Sequence, residues 1–249
     1  MYLGNGDGGA SLSHTETDDG RYNTFIGIGS GNANTTGNNN SAMGSYSLFA
    51  NTTGSQNSAM GSYSLFANTT GNNNSAMGYD SLYANTTGYR NSAMGYDSLY
   101  DLTEGIQNTA IGYNTGRGIT TGDYNTIIGA NVTGLDADLS NNIIIADGEG
   151  NQRINVDENG NVGIGTTAPE TNLHIAGTTG VTIGKDATDG TVNNEGILKM
   201  WSDGDNAYST TIKTGTQTQN VTYTLPLNDG DAGQVLTTDG NGVLSWTTP

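Results

Sequence analysis

Period, turn composition and strand pattern together predict an all-β chain: a parallel β-solenoid of 17-residue coils followed by antiparallel β-hairpins. Between Asn40 and Gly105 one phrase recurs, Asn40-Ser-Ala-Met-Gly44 with Asn51-Thr-Thr-Gly54, then Asn57 to Gly71, Asn74 to Gly88, and Asn91 to Gly105, in steps of 17 residues. The step continues upstream to Asn23-Thr-Phe-Ile-Gly27 and downstream through Asn108-Thr-Ala-Ile-Gly112, Asn125-Thr-Ile-Ile-Gly129, Asn142-Ile-Ile-Ile-Ala146 and Asn159-Gly-Asn-Val-Gly163. A second comb, Gly20, Gly37, Gly54, Gly71, Gly88, Gly105 and Gly122, keeps it without a slip. A fixed period with no insertion makes each unit one turn of a stack, because an insertion would break register with its neighbours.

Composition excludes an ordinary globular core. With 39 glycines, 7% aromatics and a mean hydropathy of -0.47, apolar material is too thin for a wide interior, and only the strict period separates this chain from a disordered one. The 24 acidic and 7 basic side chains give a formal charge of -17, which disfavours nucleic acid and anionic membrane surfaces as partners. Acidic residues crowd after Leu135, whereas Asn23 to Val132 is nearly uncharged. No cysteine is present, so no disulfide or Cys-based metal site arises. No apolar run is long enough to span a bilayer, and Met1 to Gly9 does not read as a signal peptide.

Residues 1–21 read as a lead-in that covers the first open sheet edge. The repeat domain is expected over 22–146. Within one unit Ser41, Ala42 and Met43 form a short strand, since the density of Gly, Asn, Ser and Thr excludes a helix. Side chains alternate across a strand, and hydrophobicity places the column Met43, Met60, Met77, Met94, Ile111, Ile128 and Ile145 inside, facing Leu48, Leu65, Leu82 and Leu99. The small-residue column Ala42, Ala59, Ala76 and Ala93 then lies on a surface against which something packs closely. Asn and Asn-Thr-Thr-Gly suit the corners. Burying a Met and a Leu per coil gains about 1.5–3 kcal/mol each, while ordering each residue costs on the order of 1.5 kcal/mol. So thin a roll calls for copies of itself, meeting at the Ala face or at the aromatic column Phe49, Phe66, Tyr83 and Tyr100.

The units resemble the head repeats of trimeric adhesins and of phage tail fibres, from about Tyr22 to Ala146. The resemblance implies a left-handed parallel β-roll, a homotrimer about a fibre axis, and a place outside the cell or on a virion surface. The adhesin units are shorter, which puts the coil shape apart from theirs. Gly163-Ile-Gly165-Thr-Thr-Ala-Pro169 with Leu173-His-Ile175 is similar to a signature found before the C-terminal part of tail fibres that carry an intramolecular chaperone, and the pairing of Tyr223–Pro226 with Gly233–Trp246 resembles tail-fibre shafts. Neither a coiled coil nor a chaperone follows, so the chain reads as a mature product or a fragment.

Residues 147–177 carry Asp-Gly and Asn-Gly turn signals between short strands and read as a hairpin connector. Residues 178–249 read as antiparallel β, with Gly196–Trp201 and Tyr208–Lys213 flanking a turn over 202–206, and a hairpin over 235–246. Chemistry is sparse: two histidines, His14 and His174, lie far apart, and no nucleophile-base order or carboxylate pair stands out. The expectation is no enzyme, no cofactor and no metal. Gly163-Ile-Gly165 is not followed by a helix and is no nucleotide loop. Two function classes remain. One is a trimeric fibre contributing to attachment on a host cell-surface glycan or protein, and the other is a purely structural bacterial surface filament or an ice-binding solenoid using the Thr35, Thr52, Thr69 and Thr86 column. The repeat singles out no place for a ligand, so recognition is assigned to 178–249, with Trp201, Asp203, Asp205 and Trp246 as candidates.

Overall fold

The computed structural model describes residues 20–176, 197–201, 209–213 and 223–249. These residues are all-β, without a helix. They belong to two compact units, divided near residue 180. The expected lead-in lies, apart from Gly20 and Arg21, outside the described residues.

The first unit is one 11-stranded sheet in sequence order. Strands β1 (Thr24–Ile26), β2 (Ser41–Met43), β3 (Ser58–Met60), β4 (Ser75–Met77), β5 (Ser92–Met94), β6 (Thr109–Ile111), β7 (Thr126–Ile128) and β8 (Ile143–Ala146) pair in parallel. Every pairing is offset by one repeat, Ala42 opposite Ala59 and Ala59 opposite Ala76, so the solenoid and its 17-residue coil stand as expected. Coil-to-coil bonding runs well beyond the strands. Leu48 N donates to Ser64 O at 3.0 Å, Thr52 N to Thr69 O at 2.9 Å, and Gln56 N points the other way, to Asn38 O at 2.8 Å.

The Asn column does more than turn corners. Asn40 Nδ2 donates to Gly54 O at 2.8 Å, closing its own coil, while Asn57 N donates to Asn40 Oδ1 at 2.9 Å, tying the next coil on. The pattern repeats through Asn74, Asn91 and Asn108, all buried. Each such Asn fills two buried backbone vacancies that water cannot reach.

This ladder fixes which way the strands face, and it corrects the expected orientation. With Asn40 turned inward, alternation turns Ala42 inward and Met43 outward. Ala42, Ala59, Ala76 and Ala93 are 0–2% exposed inside their own chain, and so are not a surface between copies, whereas Met43, Met60, Met77 and Met94 face out. The interior is an Ala wall against Leu48, Leu65, Leu82 and Leu99, each fully buried. Size is exchanged across it. Gly31 replaces Leu where Phe25 replaces Ala, and a Cβ on Gly31 would come within 2.5 Å of that ring.

The Leu residues sit at φ 49–53°, a left-handed conformation rare outside glycine. Burying a Leu returns about 1.5–3 kcal/mol, which exceeds the roughly 1–2 kcal/mol that conformation costs. Where even Cβ cannot fit, glycine is retained. A Cβ on Gly78, at φ +145°, would stand 2.3 Å from Gly95 O.

After β8 the sheet continues but the chain reverses. β9 (Gln152–Val156) pairs antiparallel with β8 and with β10 (Val162–Ile164), and β10 pairs parallel with β11 (Leu173–Ile175). The turns share one device: Asp147 Oδ1 accepts from Glu149 N and Asn151 N, both at 3.0 Å, and Asp157 Oδ1 from Asn159 N at 2.9 Å and Asn161 N at 2.8 Å. The Asn151 side chain, with Arg153 and these amides, holds the Asp147 carboxyl down at about 2. Within the expected connector over 147–177, the β8–β9 and β9–β10 pairs are antiparallel and joined by these turns, whereas β11 returns parallel to β10, and all of them extend the same sheet.

In the second unit β12 (Ile197–Trp201) pairs antiparallel with β13 (Ser209–Lys213), and β14 (Val235–Thr238) with β15 (Leu244–Thr247). Asp239 Oδ1 accepts from Asn241 N at 2.8 Å and Val243 N at 3.1 Å, the same turn device once more.

Candidate functional site

The outer face of the 11-stranded sheet carries one apolar stripe from end to end. Cross-strand partners run Ile26, Met43, Met60, Met77, Met94, Ile111, Ile128 and Ile145. They continue through Ile154, Ile164 and Ile175 despite the change in strand direction. Met43 to Ile145 are 38–52% exposed. An uninterrupted row of this kind on a chain otherwise poor in apolar residues is the candidate interaction surface. No charged residue interrupts β1 to β8.

The second outward column is polar for most of its length and then changes. Thr24, Ser41, Ser58, Ser75, Ser92, Thr109 and Thr126 give way to Ile143, Val156, Val162 and Leu173. Ile143 is 43% and Leu173 58% exposed. The stripe is therefore one residue wide over β1 to β7 and two wide over β8 to β11.

Aromatic side chains form three stacked runs. Phe49, Phe66, Tyr83 and Tyr100 stack with centroids 5.3, 5.0 and 4.9 Å apart and planes within 6°. Arg117 closes the column, its guanidinium 4.5 Å over the Tyr100 ring and its Nε 2.7 Å from Asp101 Oδ2. The inner rings Phe66, Tyr83 and Tyr100 are covered on both faces and offer only their edges. Beside it Tyr46 stacks on Tyr63, and Tyr79 on Tyr96 and Tyr96 on Tyr113.

Asp80 and Asp97 occupy the position held by Tyr46 and Tyr63 in earlier coils and by Asn114 and Asn131 in later ones. Burial and then the Asp97 charge push the Asp80 carboxyl up; burial also raises Asp97, with Arg117 opposing it. One oxygen of each has no partner. Among the described residues no His, Asp and Glu cluster is suited to a metal ion. His174 Nδ1 accepts from Glu170 N at 3.4 Å.

The remaining candidates scatter. Trp246 Nε1 donates to Asn228 O at 2.8 Å, and its ring lines an open cleft of about 360 Å³ with Asp229, Gly230, Asp231 and Gln234. Trp201 ends β12, and Asp203 and Asp205 lie outside the described residues. Sequence reasoning missed the outward stripe, although its period was plain, because it assigned the larger apolar side chain to the interior. Arg117 was missed too, and its signal was available: it is the next member of the aromatic column, 17 residues after Tyr100.

Comparison of the chain with protein-family models, with curated proteins and with solved structures finds no match in any of the three. Among the described residues no helix is long and apolar enough to cross a membrane.

Proposed function

We propose that the chain is a segment of a homotrimeric extracellular fibre, of the tail-fibre and adhesin kind its repeats resemble, in which three parallel copies meet along the outward Met and Ile stripe. The observation that carries this reading is the stripe itself. A row repeating at every coil fits a partner with the same repeat, and a copy of the chain is such a partner. The uncharged strand face lets copies of a chain with formal charge -17 approach without facing like charges. A row one residue wide suits a threefold axis, where three rows enclose one another. The three-chain state and a left-handed coil rest on the resemblance.

In this reading the equivalent coils are a stiff rod that contributes to host attachment by spacing, and recognition of a cell-surface glycan or protein belongs to the non-repeating residues 178–249, where the Trp246 cleft is the described candidate. The ice-binding alternative is disfavoured because Thr35, Thr52 and Thr69 spend their hydroxyls on the carbonyl of the next coil, at 2.8, 3.0 and 3.1 Å. Sedimentation velocity on the full chain tests the assembly. The reading predicts a species of three times the 25.7 kDa chain mass at micromolar concentration, reduced to one chain mass by Met77→Glu. A folded wild-type monomer contradicts it. Binding to candidate host cells, unchanged by Trp246→Ala, would remove the cleft from the account.

A further inference from the structure

We propose that the two-wide apolar end of the sheet, β8 to β11, is the register clamp of the assembly, the place where copies of the chain are fixed in axial alignment. This rests on the trimer reading above.

The reason is a degeneracy built into the stripe. Strands β2 to β5 have the same sequence, Ser-Ala-Met. If one chain slides by a single coil along another, Met still meets Met and Ser still meets Ser. Only the overhang is lost, an order of 1.5–3 kcal/mol for a fully buried Met, spread over a long seam. A verbatim repeat therefore specifies contact without specifying alignment, as in strands whose register is weakly set.

The degeneracy ends at β8. Ile143, Val156, Val162 and Leu173 replace the Ser and Thr column, and the chain reverses at β9, so the 17-residue step no longer applies. A slip by one coil sets Ile143 of one chain against Thr126 of the other and leaves one Leu173 without a counterpart, and a slip by two also sets Val156 against Thr126, so each coil of slip costs a row of the second apolar column besides the overhang of the first. Alignment at this end restores every row at once. The two-column face is also the richest apolar contact per strand on the described sheet. The occupant is another copy of this end, since the stripe that leads into it is continuous with the proposed seam.

The test uses full chains, and the absence of cysteine makes it clean. Chains carrying Met43→Cys and chains carrying Met77→Cys are refolded together, oxidised, and mapped for disulfides. In aligned assemblies these sites lie two coils, roughly 10 Å, apart along the axis, beyond the roughly 3.5–4.5 Å Cβ reach of a disulfide. A 43-to-77 disulfide thus reports a two-coil slip. With the end intact, homotypic disulfides should exceed heterotypic ones at least tenfold.

Adding Ile143→Ser with Leu173→Ser, both exposed positions, should raise the heterotypic product to within about twofold of the homotypic one, or abolish assembly. The matched loss in the middle of the stripe, Ile111→Ser with Ile128→Ser, should leave alignment intact. Aligned trimers from the end variant overturn the clamp while leaving the trimer standing. Slipped chains from both variants also overturn it. Wild-type chains that sediment as monomers overturn the trimer itself, and the clamp with it.

Discussion

Asn74 illustrates how much one side chain carries in this coil. Its Nδ2 donates to Gly88 O at 2.8 Å and its Oδ1 accepts from Asn91 N at 2.9 Å. Asn74→Ala would leave both groups buried and unpaired, at roughly 1–3 kcal/mol each, so chemical denaturation should show a loss of about 2–6 kcal/mol. A change inside experimental error would mean that the ladder is ornamental. Asp80 should behave oppositely. Its carboxyl is raised above the ordinary 3.8, so below that pH both folded and unfolded forms are protonated and no penalty exists. As pH rises through the folded value the carboxylate must ionise against burial and the Asp97 charge, and stability falls. Asp80→Asn should therefore raise Tm modestly at pH 7, for a stability gain of no more than the few tenths to about 1 kcal/mol of a partly exposed charge, and not at pH 3. The residue positions themselves were legible, since Asn, Gly and Met recur at fixed phase. The facing of Met43 and Ala42 was not. A three-residue strand carries too little alternation to set its own phase, and the buried hydrogen-bonding role of Asn40 decided it.

A coil is interchangeable with its neighbours because the backbone bonds of one unit are completed by the next, from Ser58 N to Asn74 O at 2.8 Å through Thr69 N to Thr86 O at 2.9 Å. Removal of residues 57–73 should then leave Asn40 to accept from Asn74 and preserve cooperative folding, with β-rich circular dichroism and a Tm lowered by only a few degrees. Removing 57–72 instead puts every later column out of phase and should abolish the folded state. Equal tolerance of both deletions would break the equivalence of coils. Strand positions and hairpin turns were readable from Ser-Ala-Met and from the Asp-Gly and Asn-Gly pairs. Less visible was that β9 to β11 extend the same sheet, because the outward Ile phase survives a reversal of direction that local turn chemistry does not announce. The Asn34, Asn51, Asn68 and Asn85 row also ends unannounced. Leu102 takes the next place, leaving Asn85 Oδ1 without a partner, and Leu102 with Ile119 adds apolar volume where Gly116 removes it.

Across the chain, an Ala and a Leu per coil make a thin core, and the apolar residues that would thicken it lie outside on the sheet face. That distribution explains why composition pointed toward assembly even while the strand was phased the wrong way. The expectation of partners came from how much apolar area exists, whereas the identity of the proposed seam depends on which side of the strand holds it. The column Phe49, Phe66, Tyr83 and Tyr100, the other seam candidate, already stacks ring on ring within the chain. Burying the exposed half of each Met or Ile adds on the order of 1 kcal/mol per coil and chain, which accumulates along the stripe.

Methionine oxidation reads the seam directly. In a lone chain Met43, Met60, Met77 and Met94, 39–52% exposed, should react with dilute peroxide nearly as fast as in the denatured protein. In the proposed assembly the same thioethers face one another and exclude solvent. Peptide mass spectrometry of the native full chain is predicted to show at least tenfold slower sulfoxide formation at these methionines than in denaturant, with protection lost in Met77→Glu. Native rates equal to the denatured ones would place the stripe in solvent and contradict the account.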